Sequence, residues 1–348
     1  MKPAAIASLV VGAWLAGWAA GARAQSGAAP HGPVVLTPQY TPGDVLRYQV
    51  SFRSQSKSLL GGAIENPQGA AELGINVGIT LRLEVLTPIP TSRPQEKSAP
   101  AATESAAADE RHALRLRATY ERVSAELTGD SYDPDAKKLL AQYQGLEGRS
   151  IEFQLGPHGE VEYMRGMEEV LKDPRALEAA RSWLRQLGAG LEAPPSGVVP
   201  GQRWDQTQAV PDAPLNGTEL ETTTTYLRDE PCDAEHPAGD ACAVVLMQFS
   251  LGQKAGDKKP TPEVFRKNGL RTSGAWTSQG QSLIYVSVRT GRTVRVTQTS
   301  DEVMDLNIRH EEGGMPFRYA GRSKTETHLL LLDERRGAEA ATPSKSGQ

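Results

Sequence analysis

The stretch Leu46-Arg-Tyr-Gln-Val-Ser-Phe-Arg53 puts apolar side chains at its even positions and polar ones at its odd positions. Ile75-Asn-Val-Gly-Ile-Thr-Leu-Arg-Leu-Glu-Val85 places Ile75, Val77, Ile79, Leu81, Leu83 and Val85 on the odd phase. A period of two is the repeat of an extended strand with one dry and one wet face. Leu114, Leu116, Ala118 and Tyr120, separated by Arg115, Arg117 and Thr119, repeat it. Strands of a parallel sheet are covered on both sides and read as continuous apolar runs, so these three belong to an antiparallel sheet.

Working outward, two hairpins are expected. Ile151 to Leu155 and Val161 to Tyr163 are joined through Gly156-Pro-His-Gly159, and Leu283 to Val288 and Val294 to Thr299 through Thr290-Gly291. Weaker strand signals lie at Gln202 to Val210, Thr218 to Leu227, Ala243 to Leu251, Leu270 to Thr277 and Ser323 to Leu332. Helices are few. Asp133-Pro134 and Asp173-Pro174 each offer an N-cap followed by a proline at the first helical position. The first helix shows Ala136, Leu139, Leu140 and Tyr143 on one face and stops near Gly145. The second shows Leu177, Ala180, Leu184 and Leu187, with Gly188 placed to end it. Each has one apolar stripe to pack on the sheet. The fold class is mainly β, a strongly curved antiparallel sheet, open-barrel or sandwich-like, with two short helices on it.

Lys2, the apolar run Ala4 to Ala20 and Ala22-Arg23-Ala24 read as a signal peptide over residues 1–24, too short for a membrane span, so no transmembrane segment is expected after cleavage. A flexible leader at 25–34 and a β-rich domain at 35–333 follow. Two similar halves, 35–190 and 195–333, are suggested by Gly43-Asp-Val-Leu-Arg-Tyr48 and Gly201-Gln-Arg-Trp204. Residues 87–111, rich in Pro, Ala, Ser and Glu, read as a mobile insertion, Gln253 to Lys267 as a similar one, and 334–348 as a disordered tail. The formal charge of −4 becomes two units more negative without Lys2 and Arg23, which argues against nucleic acid as a partner. The expected location is periplasmic or secreted.

The two cysteines, Cys232 and Cys242, lie in one Pro/Gly/Asp-rich loop, and an even count in an exported chain favours a disulfide. A zinc site using His236 with both thiols lacks a fourth ligand.

Ala193-Pro-Pro-Ser-Gly-Val-Val-Pro-Gly-Gln-Arg-Trp204, Pro42-Gly-Asp-Val-Leu-Arg-Tyr48, Leu155-Gly-Pro-His-Gly-Glu-Val161 and Arg289-Thr-Gly-Arg292 together resemble a family of exported bacterial proteins of unknown function. The resemblance covers most of the mature chain. Its motifs are turns and strand entries, so it implies compartment and fold and supplies no catalytic residue or ligand. More distantly, the pattern is similar to open-barrel carriers that hold lipoproteins or lipids in the periplasm, an analogy of fold.

Catalytic signatures are missing. No Gly-x-Ser-x-Gly occurs, and the six histidines, His31, His112, His158, His236, His310 and His328, include no His-Glu-x-x-His. His158 reads as an ordinary turn residue, and Asp301-Glu302 and Glu311-Glu312 as a solvated face. Asp229, Glu230, Asp233, Glu235 and Asp240 crowd the cysteine loop without EF-hand spacing. Trp183, Trp204 and Trp276 read as core. No metal or other cofactor is implied.

What remains is an imbalance: so many strands with one dry face exceed what two short helices can cover. The expected function is a non-catalytic periplasmic binding or scaffold protein holding a lipid or lipidated partner. The candidate lining is Leu46, Tyr48, Val50, Phe52, Ile75, Val77, Ile79, Leu81, Leu83, Leu114 and Leu116. The alternatives are a closed β-protein acting on envelope proteins through its surface, and a hydrolase without a recognisable motif.

Overall fold

The computed structural model describes residues 32–62, 69–87, 114–129, 134–156, 161–169, 171, 174–210, 213–233, 235–236, 239–253, 261–313 and 315–337. In chain order these form β1 (Val45–Gly62), β2 (Ala71–Leu86), β3 (Leu114–Gly129), α1 (Pro134–Gln144), β4 (Ser150–Leu155), β5 (Val161–Arg165), α2 (Pro174–Ala189) and β6 (Arg203–Ala209). β7 (Thr218–Pro231), β8 (Ala241–Gln253), α3 (Glu263–Lys267), β9 (Leu270–Ser287), β10 (Thr293–His310) and β11 (Phe317–Arg335) follow. All strands pair antiparallel in one curved, unclosed sheet of order β5-β4-β3-β2-β1-β11-β10-β9-β8-β7-β6. Each half of the chain is a meander of hairpins, and the meanders are stitched together where β1 pairs with β11, from Val45 opposite Arg335 to Gly62 opposite Phe317.

The alternation of the sequence sets the faces. Leu46, Tyr48 and Val50 stand opposite Leu83, Leu81 and Ile79, and all point to the dry side. In β3 the inward phase runs Leu116, Ala118, Tyr120 and then Val123, Ala125, Leu127; it switches because the β2–β3 register shifts between Thr80 and Leu81. The extra residue, Glu121, faces the wet side, where its carboxylate takes the Arg47 guanidinium at 2.7 Å. Such bulges increase local twist, and the sheet has further ones in its β1–β11, β9–β10 and β7–β8 ladders.

Three apolar clusters lie along the dry face. The largest joins β1–β5 to α2 through Leu184 and Leu187; a second packs Val34, Leu36 and Val198 on β7–β9; a third packs Ala213 and Leu215 against Trp276, Met304 and Leu306. Trp183 and Trp204 border the first two and Trp276 is buried in the third, as read from the sequence. Gly188 does not end α2. A Cβ there would stand 2.7 Å from Leu155 Cδ1 and 2.9 Å from Leu116 Cδ1, so the glycine lets the helix settle onto β3 and β4, and Gly190, at φ 69°, makes the stop.

Other boundaries differ from expectation. Leu270–Thr277 and Leu283–Val288 are parts of one strand, β9. β8 runs through Gln253, and a single helical turn, α3, occupies Glu263–Lys267 inside the expected irregular insertion, entered at Pro262. The sheet passes residue 333: β11 reaches Arg335, and the Gly337 N–H donates to Asp44 at 2.9 Å. Val34, expected in the leader, bridges Val198. The signal peptide, most of the 87–111 insertion, residues 338–348, the hairpin tip with His158 and the caps Asp133 and Asp173 lie outside the described residues.

Cys232 and Cys242 are bonded, with Cα atoms 4.9 Å apart, closing the β7–β8 hairpin over Val244 and Tyr285 on the wet face. Replacing both cysteines with serine is expected to cost about 2–3 kcal/mol, from the added freedom of the unfolded loop, measured as a lowered denaturant midpoint. His236 contacts Asp233 at 2.6 Å and stands in solvent.

Candidate functional site

The dry face is not apolar throughout. Along β1 its inward positions run Leu46, Tyr48, Val50, Phe52 and then Ser54, Ser56, Ser58. Along β11 Leu331 and Leu329 give way to Thr327, Thr325 and Ser323. Along β10 Val296 gives way to Gln298, Ser300 and Glu302 before Met304 and Leu306 resume. On β9 the corresponding positions are Ser282, Gly280 and Ser278, between Ile284 and Trp276. The ladders align these changes, so a belt of small polar side chains crosses four strands of an otherwise apolar surface.

Two rows carry the chemistry. In the first, Ser282 pairs with Gln298, Gln298 with Thr327 and Thr327 with Phe52. All three polar residues are buried, and the Ser282 hydroxyl donates to Gln298 Oε1 at 2.9 Å. Among the described residues, Gln298 Nε2 and Thr327 Oγ1 have no hydrogen-bond partner. In the second row Ser278, Glu302, Ser323 and Ser56 stand side by side. The Trp276 indole N–H donates to Glu302 Oε1 at 2.8 Å. Burial raises the Glu302 pKa above the ordinary carboxylate value, and the indole hydrogen bond offsets this only in part.

Asp301 and Glu302 therefore part company. Asp301 faces solvent opposite Lys324, as read from the sequence, whereas Glu302 belongs to the interior belt and not to a solvated face. An acid whose folded pKa is raised contributes most below its unfolded pKa, about 4.3, and that contribution is lost as pH rises through the folded value. Glu302→Gln keeps the acceptor for Trp276 and removes the charge, so it is expected to raise the thermal midpoint at pH 7 and to leave it unchanged near pH 4, read by calorimetry at both pH values.

The lining residues expected from the sequence share this face and divide into two groups. Leu46, Tyr48, Val50, Leu81, Leu83 and Leu116 are at most 4% exposed in the cluster under α2, with Ile79 and Leu114 packed against its border. Phe52, Ile75 and Val77 continue the surface toward the belt, Phe52 half-buried and the other two buried. The helices stand toward the margins, α1 against β3, α2 against β4 and β5, and α3 against β9. Sequence reading missed Gln298, Thr327 and Glu302. The signal was present in β10, where Val296, Gln298, Ser300, Glu302, Met304, Leu306 and Ile308 keep one phase through the polar interruption.

Among the described residues, no group of three or more His, Cys, Asp or Glu could hold a metal ion, and no helix is long and apolar enough to cross a membrane. In the cysteine loop, Asp240 accepts from Ser287 Oγ at 2.5 Å and Glu230 accepts from Arg228 Nε at 2.7 Å.

No family model and no curated protein matches the chain. Among solved structures it is similar to one described as "Lipid-protein interactions in lipovitellin", at 12% identity and a TM-score of 0.38, over 89% of this chain and 27% of that one. The chain thus spans little more than a quarter of the length of that protein, and a likeness at this level bears on neither ligand nor mechanism.

Proposed function

We propose that this chain is an exported, non-catalytic binding protein that shelters a lipid or a lipidated partner on the dry face of its sheet. One observation carries the reading: a single eleven-stranded sheet has one mainly apolar face and, among the described residues, two unpaired edges, β5 and β6, with its helices set toward the margins. A sheet closed on itself would bury such a face without a ligand. An unclosed one can part along that face to admit a ligand, and an apolar face uncovered in this way is of the kind that marks a binding site in soluble proteins. The free edges count against the closed-body alternative. Half-buried Phe52, beyond the α2 core, is the apolar residue a ligand meets first in this reading, with the buried Ile75 and Val77 behind it, and the remaining expected lining residues form the floor that holds them in place.

The test is native mass spectrometry of the exported, purified chain. A mass excess that disappears after solvent extraction, and returns when membrane lipid is added back, is the expected result. A bare protein mass that stays unchanged when lipid is offered rejects the proposal.

A further inference from the structure

We propose that Gln298 and Thr327 form a receptor for the carbonyl oxygen of an acyl ester, so that the face holds a glycerol-ester lipid by its linkage as well as by its chain. The inference rests on the binding reading above and adds the group that is recognised. Buried polar side chains in folded proteins are nearly always partnered, and an orphan bears its full desolvation cost. Here two orphans are neighbours. Gln298 and Thr327 occupy paired positions on β10 and β11, are 4% and 0% exposed, and leave Nε2 and Oγ1 unpartnered. The Ser282 hydroxyl, by donating to Gln298 Oε1, holds the amide with its NH2 as the unused end.

An amide N–H and a hydroxyl can both donate, and a carbonyl oxygen offers two lone pairs to accept them. The charge of the belt selects among acceptors. Within the belt, among the described residues, the inward positions of β9, β10, β11 and β1 carry no cation, and Glu302 brings the one acidic group. A phosphate would meet no counter-charge there, whereas a neutral ester meets two donors. Apolar surface continues on both sides, through Phe52 toward β2 and through Trp276 and Met304 toward the far end of β9 and β10, which suits a chain with a polar linkage along its length.

Two neutral amphiphiles that differ only in the carbonyl test this: monopalmitoylglycerol and the hexadecyl ether of glycerol, titrated separately into the full chain by calorimetry. The ester is expected to bind about three- to tenfold more tightly, the worth of a buried hydrogen bond. Thr327→Val and Gln298→Leu should each erase that preference by weakening the ester alone, while ether affinity and the folded circular-dichroism spectrum stay as they are. Thr327→Ser, which restores the hydroxyl, should restore the preference, and it carries the test if Gln298→Leu fails to fold. Equal binding of ester and ether to the unaltered chain, or variants that weaken both alike, would overturn the receptor and leave the binding reading standing. Binding of neither amphiphile would overturn both.

Discussion

Replacing Arg292 with Met is expected to cost about 3–5 kcal/mol, the range for breaking one partner out of a buried ion pair. Its guanidinium is 4% exposed and bonds the Asp44 carboxylate, itself 2% exposed; it also reaches Glu334 at 2.6 Å and the Gln39 carbonyl at 2.7 Å, and lies over the Tyr40 ring. Methionine fills much of the volume and leaves the Asp44 carboxylate dry and without its counter-charge. Burial alone would raise the Asp44 pKa, but the Gly337 and Thr41 N–H groups and Arg292 together hold it below the ordinary value. A depressed folded pKa contributes stability that is present above the unfolded value, about 3.9, and lost as pH falls through the folded one. The deficit of the variant in chemical denaturation should therefore be full at pH 7 and shrink below about pH 4. An unchanged midpoint at pH 7 would show that the pair does not hold this corner together. Arg292→Met with Asp44→Leu, which removes both charges, should recover part of the loss.

Leu81→Ala is the second large effect, about 2–5 kcal/mol, because Leu81 is fully buried between Tyr48 and Tyr120 and truncation leaves a cavity in the cluster under α2. Phe52→Ala, on the same face but half-buried at the border of the belt, should cost markedly less. Thermal melts of the two variants compare them. A melt in which Leu81→Ala is no worse than Phe52→Ala would mean that the α2 cluster is looser than its burial implies.

The parts of the fold that could be read from residues alone are those where burial is apolar. β2 and the first halves of β1 and β3 announce themselves by alternation, and both cysteines by their shared loop. What escaped shares one cause. Ser278-Gln-Gly-Gln-Ser282 lies inside continuous β9, yet it scans as a break between two strands because its inward positions are Ser278, Gly280 and Ser282. In β10 the same interruption falls at Ser300 and Glu302, before Met304, Leu306 and Ile308 resume the inward phase, and in β11 Gly321 separates Ser323 from the inward Tyr319 and Phe317. Where function asks for polar groups inside, the hydrophobic signal that marks a strand is erased, and pattern reading fails at the place of most interest. Asp44 and Arg292 illustrate a second limit. Pro42-Gly-Asp44 and Thr290-Gly-Arg292 each read as a turn, and only the tertiary structure shows that the two turns hold each other.

The junction of β1 with β11 has a consequence for how the protein is made. The ion pair of Arg47 with Asp333 spans 286 residues, and the whole outer side of β1 waits for a strand translated that much later. Until then the early meander presents a long bare backbone edge, the template on which chains stick to one another. Closing so distant a contact is slow, so yield should depend on how dilute the newly made chain is and on holdase chaperones that occupy that edge.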